Sequence, residues 1–442
     1  MRVGAALVAA LLLAGCARQR PMTDDRGPIT DSVVRPETLV TPPPTPGTRP
    51  PPPATGPLIR VGIVVDRDSA IVSATGPFRI LGADGAMIAQ VEAAAPMVIR
   101  NHPTVPSRLM TRRPGEQGGT GGLAPLRIVP DAAGDLVMIG GRTYRGDAYA
   151  SRGTAGVTVV NQLPLETYLL SVVALELGFR APADRQAVMA QAVAARTYAM
   201  RYRGRREALG FDVFPTDADQ VYGGTAAELP EVTQAVRDTE GQIVTWNGQP
   251  IEALFHSTCG WSTEDSREIF HNRGDAPYLR AVSDRTGEGP RDFYCAMSPR
   301  FRWREEWDGA QLAAIARRAL RPAASGSGPL PRVDDVAARR TTPTGRVSEL
   351  IFETSEGTAV VPHGRIREVL RTPAGGQLNS TMFQLHVERG SNGVTRLVAA
   401  GGGYGHGVGM CQFGAAGRSR AGFDYRDILS TYYHGTALER IY

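Results

Sequence analysis

Residues 157–202 read VTVVNQLPLETYLLSVVALELGFRAPADRQAVMAQAVAARTYAMRY, and the change of period inside this stretch decides the fold class. The opening VTVV is a β-branched run of the kind that forms strands. It passes through a turn into the apolar segment LETYLLSVVALELG (165–178), which Gly178 ends. A helix is predicted over Pro182–Tyr202. Pro182 suits a first-turn position and Asp184 favours the positive end of the helix dipole. Ala187, Val188, Ala190, Ala192, Val193, Ala194, Ala195 and Ala199 leave this helix apolar on nearly every side, so it is expected to be buried. Gln191 and Tyr198, seven apart, share one face. Arg196 lies about 140° round from Gln191 at ~100° per residue, so the two cannot serve one small site from the same stripe.

Upstream, LIRVGIVVDRDSAIVSATGPFRILGADG from Leu58 alternates short β-branched runs with glycine, aspartate and serine, which reads as strands and tight turns. A loop is expected at MTRRPGEQGGTGG (110–122). Downstream, mixed strands and loops run to Pro299. A shorter helix is predicted from Gly309 to Arg321, followed by the flexible run PAASGSGPLP and then by the strand-like segments RVSELIFET and FQLHVE. The expected class is α+β: a mixed β-rich core around a buried alanine-rich helix, with a smaller β-rich region over 58–140 and the main domain over 141–442.

The first residues carry a different signal. Met1-Arg2 is a short positive start, Ala5 to Leu13 is apolar but too short to span a bilayer, and Leu13-Ala14-Gly15-Cys16 follows. Residues 1–15 read as an export signal, and the tetrad resembles the lipobox of bacterial lipoproteins. That resemblance implies lipidation of Cys16 and, with Ala17 after it, anchoring at the periplasmic face of the outer membrane. Residues 16–57 are polar and then proline-rich (TLVTPPPTPGTRPPPPATGP), a solvated tether whose forty or so residues reach up to ~120 Å at the polyproline rise. The membrane partner is thus a lipid anchor, with the folded part held away from it.

Composition excludes some chemistry. The net charge is +5, and all 49 basic residues are arginine. With no lysine there is no Schiff-base chemistry and no lysine nucleophile. The arginines are spread among acids rather than gathered into a stripe, so nucleic acid is not an expected partner. The glycine cluster GGGYGHGVG (401–409) lacks the ending of a phosphate loop and does not fit a dinucleotide fingerprint. His256, Cys259, His406 and Cys411 form no tight paired-ligand motif, and neither a cofactor nor a metal is expected. In an exported protein thiols oxidise; Cys259 and Cys295, in loop-like segments bracketing one region, are the expected disulfide, leaving Cys411 free and buried.

Two features point to a site. Glu176 is the one acid in LLSVVALELG, just ahead of the buried helix. A carboxyl so placed resists ionisation, as a general acid working near neutral pH requires. The bland alternative is an ion pair with an arginine such as Arg196. Near the other end, the glycine-rich turn lets the backbone approach a ligand closely, with Tyr404 and His406 lining a groove suited to a sugar chain.

Seven segments together resemble the SpoIID/LytB family, named for a sporulation protein and an amidase enhancer of bacterial cell-wall metabolism. They are LPLETYLLSVVALELG, APADRQAVMAQAVAARTYAM, DADQVYGG, IEALFHSTCGWSTEDS, PYLRAVSD, IREVLRTPAGGQLNSTMF and GYGHGVGMCQFGAAGRSRAGFDYRDILSTYYHGTALE. They follow the family's order and cover roughly 141–442. The resemblance implies a peptidoglycan lytic transglycosylase that cleaves the MurNAc-GlcNAc bond of glycan strands, including strands stripped of stem peptides, with formation of 1,6-anhydroMurNAc. It puts the catalytic glutamate at Glu176. In that reading His256, Ser257, Tyr404, His406 and Gln412 bind sugar, with Gln191 and Arg196 supporting the floor of the site. The family also implies the alternative of a non-catalytic wall-binding amidase enhancer with an amidase partner. The chain departs from some members before Gln220-Val221-Tyr222, where Phe214-Pro215-Thr216-Asp217-Ala218-Asp219 replace cysteine and histidine. A second departure is Gly260-Trp261, where a double glycine is usual.

Overall fold

The computed structural model of the chain describes residues 56–178, 181–270, 275–320 and 330–442. The expected export signal over 1–15, the lipidation site at Cys16, the tether up to residue 55 and most of the run 322–331 lie outside them. The fold is α+β. No helix among the described residues is long and apolar enough to cross a membrane.

The short β-branched runs build two six-stranded antiparallel sheets. In one the spatial order is Leu58–Arg67, Val157–Pro164, Asp147–Arg152, Leu126–Pro130, Phe78–Leu81, Met87–Val91. In the other it is Arg142–Tyr144, Val137–Ile139, Ser69–Ala74, Met97–Asn101, Arg108–Arg112, Thr120–Leu123. Period-two alternation decides what each strand buries: Phe78 and Ile80 are fully buried while Arg79 between them is not. The β-rich region therefore does not stop at residue 140. Val157–Pro164 pairs along Leu58–Arg67 on one edge, with Pro164 opposite Leu58, and along Asp147–Arg152 on the other, so it is an interior strand of this sheet. The ends of the stretch expected as a loop over 110–122 also enter the second sheet, as neighbouring strands.

Eight helices follow among the described residues: α1 (Leu165–Glu176), α2 (Arg185–Tyr202), α3 (Pro230–Asp238), α4 (Ser266–Ile269), α5 (Gly309–Leu320), α6 (His363–Val369), α7 (Gln412–Arg420) and α8 (Tyr425–Tyr432). Helix α2 begins after a single 3-10 turn at Pro182–Asp184 and buries every residue from Ala187 to Ala199. Small side chains let neighbours approach on all sides, and α1, α3, α7 and α8 pack around it. Closing this body are strand Gln242–Trp246, paired with Ala437–Arg440, and a two-residue parallel pairing of Phe255–His256 with Met410–Cys411.

The region from 141 onward is not built around one core. Residues 303–401 carry their own hydrophobic cluster, with Trp307, Leu312, Leu350, Phe352, Ile366 and Leu397 inside it. Strands Trp303–Asp308, Gly393–Gly401 and Phe383–Gly390 form one sheet of this module, in that order. Val333–Thr341, Val347–Thr354 and Gly357–Pro362 form the other. The module leaves and rejoins the main body at one place, where the Gly403 N–H donates to the Arg300 carbonyl at 3.0 Å.

Candidate functional site

Glu176 is the last residue of α1. The first nine residues of that helix are buried, and the burial breaks at Ala174 and Leu175. Gly178, at φ 71°, turns the chain away, and its N–H donates to the Val173 carbonyl at 3.1 Å. This left-handed exit, cheap for glycine, leaves Glu176 half-buried, packed by protein yet still reached by solvent.

One oxygen of Glu176, Oε1, accepts the Val221 N–H at 2.8 Å. Burial pushes the carboxyl up to about 7, and the nearby Asp217 adds to the rise, while the Val221 N–H and the Gln412 side chain act against it. The arginine offered as a bland partner is elsewhere. Arg196 makes two bonds to Glu166, at 2.6 and 2.7 Å, and gives its remaining donors to the Gln242 and Val236 carbonyls. Both side chains of that pair are fully buried. Arg196 is therefore not a substrate-binding residue. It lies on the far side of α2 from Gln191, as the helix period requires.

Segment 214–224 is strapped across α1 so that Val221 can reach Glu176. Gly223 N–H donates to Ser171 Oγ at 3.0 Å, Tyr168 OH donates to Gln220 Oε1 at 3.3 Å, and Gln220 Nε2 donates to the Ala195 carbonyl at 3.3 Å. Asp219 closes the strap, accepting the Phe214 N–H at 2.8 Å and pairing with Arg206 at 2.9 Å. The residues that stand where other members carry cysteine and histidine thus hold a loop in shape.

The opposite wall comes from the glycine-rich turn and α7. Gln412, the first residue of α7, lies beside Glu176 and donates to Gln191 Oε1 at 3.4 Å. Gln191 is itself fully buried and so supports the floor. In His406, Nδ1 accepts the Val408 N–H at 3.1 Å and Nε2 faces the Phe255 carbonyl at 3.0 Å. Only a ring protonated at Nε2 alone meets both partners. His406 is half-buried and both ring nitrogens are engaged, so it offers a ring surface more than a free donor. Gly407, at φ 86°, keeps the turn in this shape; a Cβ there would fall 2.3 Å from Arg346 Cζ.

His256 does not line the groove. It is fully buried and its Nδ1–H donates to the Val408 carbonyl at 3.1 Å. Burial holds it below the usual imidazole range, with Cys411 beside it acting in the other direction. Ser257 is also buried, its Oγ 3.3 Å from Thr258 Oγ1. Both side chains support the turn rather than meet a sugar. Tyr404 sits at the edge, buried to 8 % exposure between two guanidinium groups, Arg300 at 5.3 Å and Arg367 at 5.7 Å from its ring.

Three residues of this surface escape a reading of the sequence for chemistry. Arg367, on α6, belongs to the inserted module, and its charge interacts with both Tyr404 and Asp217. Burial lowers it to about 10. Arg300 donates to Asn379 Oδ1 at 3.1 Å across the junction with that module. Asp217 stands between Glu176 and Arg367 in electrostatic terms, felt by both. Asp217 and Arg367 occur within family-like segments, but nothing local marks them among so many acids and arginines.

Cys259 and Cys295, expected as a disulfide, are free thiols with their sulfurs 3.5 Å apart. Cys411 is not isolated from them: its sulfur accepts the Cys259 N–H at 3.2 Å. Three buried thiols in one place, with Asp284 among them, leave no reason for one pair to be singled out by proximity.

Comparison with known proteins places the chain among relatives. Residues 153–246, which include Glu176 and its strap, match the family model described as SpoIID, stage II sporulation protein. Residues 288–409, close to the bounds of the inserted module, match a domain of unknown function. The chain is 32 % identical over 301 residues to stage II sporulation protein D of Bacillus subtilis, covering 64 % of this chain and 77 % of that protein. It is 29 % identical over 284 residues to the amidase enhancer of Bacillus subtilis, covering 57 % of this chain but 38 % of that longer protein. An uncharacterized protein of Brachyspira hyodysenteriae is 31 % identical over 305 residues, covering 68 % of this chain and 73 % of its own length. At 32 % identity with three-quarters of that sporulation protein's length covered, and with the family model matched over 153–246, the chain belongs to the SpoIID/LytB family, that of stage II sporulation protein D and the amidase enhancer.

Proposed function

We propose that this protein is a lytic transglycosylase acting on the glycan strands of bacterial peptidoglycan, with Glu176 as its single acid and base. The observation that carries the reading is the Glu176 carboxyl, raised to about 7, half-buried at the end of its helix, and without an arginine partner among the described residues. Near neutrality such a group is populated in both protonation states, as one residue serving first as acid and then as base must be.

In this mechanism protonated Glu176 donates to the oxygen bridging N-acetylmuramic acid and N-acetylglucosamine. The glycosidic bond breaks through an oxocarbenium-like state. The carboxylate so formed takes the proton from the 6-hydroxyl of the same muramic acid, whose oxygen bonds to the anomeric carbon. The attacking hydroxyl belongs to the substrate, so no second carboxylate is needed to activate water. Val221 N–H and Gln412 hold the carboxylate during the second step, Tyr404 and His406 offer ring surfaces to sugar, and Arg300 meets the acidic groups of the polymer. Export and lipid anchoring through Cys16 would bring the protein to its substrate, a part of the proposal that fatty-acid labelling of the wild-type chain and a Cys16→Ser variant tests.

The likeness to an amidase enhancer favours a second reading, a wall-binding protein that stimulates an amidase and cleaves nothing. Digesting intact and peptide-stripped sacculi side by side, with mass spectrometry of the soluble fraction, separates the two. Anhydro-muramic ends released by the wild type and absent with Glu176→Gln support the enzyme; binding to sacculi without released fragments supports the enhancer.

A further inference from the structure

Away from Glu176, three cysteines distant in sequence meet. Cys259 follows the short strand Phe255–His256, Cys295 lies in the 3-10 turn Tyr294–Met297, and Cys411 is the N-cap of α7. Their sulfurs and one carboxylate oxygen of Asp284 all lie within 4.8 Å of one another, and all four residues are buried. Cys259 Sγ is 3.5 Å from Cys295 Sγ and 3.2 Å from Asp284 Oδ2. With Zn–S near 2.3 Å and Zn–O near 2.0 Å, the ligand atoms of a tetrahedral zinc site stand about 3.5–3.8 Å apart. The cluster already has that scale.

The surroundings are those of a ligand set. While Oδ2 of Asp284 faces the sulfurs, its other oxygen, Oδ1, accepts from Tyr432 OH at 2.7 Å and from Arg418 Nη2 at 3.0 Å. Ligating carboxylates are oriented by such outer hydrogen bonds. Cys411 Sγ accepts two backbone N–H groups, from Cys259 and Gly414, each at 3.2 Å. Arg346 is fully buried against the same turn, its Nη2 donating to the Cys259 and Ser262 carbonyls at 2.9 and 3.0 Å. Its Nε and Nη1 have no hydrogen-bond partner among the described residues. Glu264 also lies near it, as do all three sulfurs. Three thiolates, a carboxylate and a dication leave a net negative site, and buried Arg346 and Arg418 supply opposing charge.

We propose that Cys259, Cys295, Cys411 and Asp284 form a structural zinc site. Four protein ligands and complete burial leave no open position for substrate, so the metal's role is to hold the fold. It would pin the start of α7, and hence Gln412, to the strand that carries His256. The inference does not rest on the transglycosylase reading. It runs against the expectation of no metal, and the rival it must beat is the Cys259–Cys295 disulfide, which would leave the Cys411 thiol and the Asp284 carboxylate facing a closed bridge.

The full chain, purified without chelator, should contain about one zinc per molecule by elemental analysis and native mass spectrometry. Its three clustered thiols should resist alkylation until metal is stripped under denaturing conditions, and a thiol-competing chelator should lower the melting temperature by ~10 °C or more. Cobalt exchanged into the wild-type protein should give the visible bands of a tetrahedral site with sulfur-to-metal charge transfer, a readout that needs no variant to fold. Asp284→Asn should weaken zinc retention at least tenfold, as measured by competition with a chromogenic chelator. A Cys259–Cys295 disulfide in the peptide map, or a reduced protein that takes up neither zinc nor cobalt, would overturn the proposal.

Discussion

Glu176 and Glu166 lie ten positions apart on one helix and have opposite fates, decided by what each carboxylate finds. Glu166 finds Arg196 and is held as an ion pair; Glu176 finds one N–H, one amide and a second acid. Its folded-state value lies above the ordinary value of 4.5, so between about 4.5 and 7 the folded protein holds a proton that the unfolded chain releases. Stability from this group is therefore greatest below that window and falls as pH rises through it. Urea unfolding at pH 5 and pH 8 should show that loss in the wild type and a smaller one in Glu176→Gln. The same substitution should lower the rate of anhydro-sugar release about 10²- to 10⁴-fold, the usual worth of a positioned acid-base group. Asp217→Asn removes a like charge and leaves Arg367 nearby, so the Glu176 value should fall. The limb of the pH-rate profile that reports the acid form should move to lower pH, and an unmoved limb would show that Asp217 has no hold on Glu176. Glu176 was legible in the sequence because an acid among apolar neighbours stands out. Asp217 and Arg367 were not, because their importance exists only once two segments 150 positions apart are brought together.

At the scale of elements, α2 is the best-read part of the molecule and Arg196 the most misleading residue on it. A helix with alanine or valine on nearly every side has nowhere to go but inside, so its burial follows from its composition. Family likeness drew Arg196 toward the substrate, whereas the helix period had already set it on the other side from Gln191. The Arg196–Glu166 pair joins α2 to α1 and, through the Val236 and Gln242 carbonyls, to α3 and the strand after it. Removing one partner leaves a buried charge unpaired, which costs about 3–5 kcal/mol. Arg196→Met should therefore lower the melting temperature sharply while the protein that remains folded keeps its affinity for glycan. A raised KM at unchanged melting temperature would instead mean that Arg196 does meet substrate. The glycines at 403, 407 and 409 admit the protein's own Thr258, Arg346 and Leu254, and neither that nor the inward orientation of His256 was legible in the sequence. Which face of a two-residue strand turns inward is fixed by the pairing of Phe255–His256 with Met410–Cys411, and no local period announces a pairing that short.

At the scale of the whole molecule, the described residues form two cores joined across a polar seam. The seam includes Arg346 on the Cys259 and Ser262 carbonyls, Arg300 on Asn379, the Trp261 indole N–H on the Thr344 carbonyl, and the hydroxyls of Thr342 and Thr344 on Glu264. The second core was hidden in the sequence because its strands expose long stretches that break the apolar alternation, as in Val333–Thr341, where five successive residues from Ala337 are exposed. Trp307 is the largest side chain in that second core, 1 % exposed, with its indole N–H donating to the Arg371 carbonyl at 2.7 Å. Trp307→Ala should cost the module about 3–5 kcal/mol from packing and leave that carbonyl without its donor. The two hydrophobic clusters share no buried side chain, so the loss should stay local. Hydrogen exchange should quicken across 303–401 and remain slow in α2. Glycan cleavage should weaken with the module even though Glu176 is untouched, because α6 carries Arg367 toward Asp217 and Tyr404. Uniform loss of protection in both cores would mean that the polar seam couples them as tightly as a shared apolar interior would. Unchanged cleavage with a melted module would mean that the glycan is held by the main body alone.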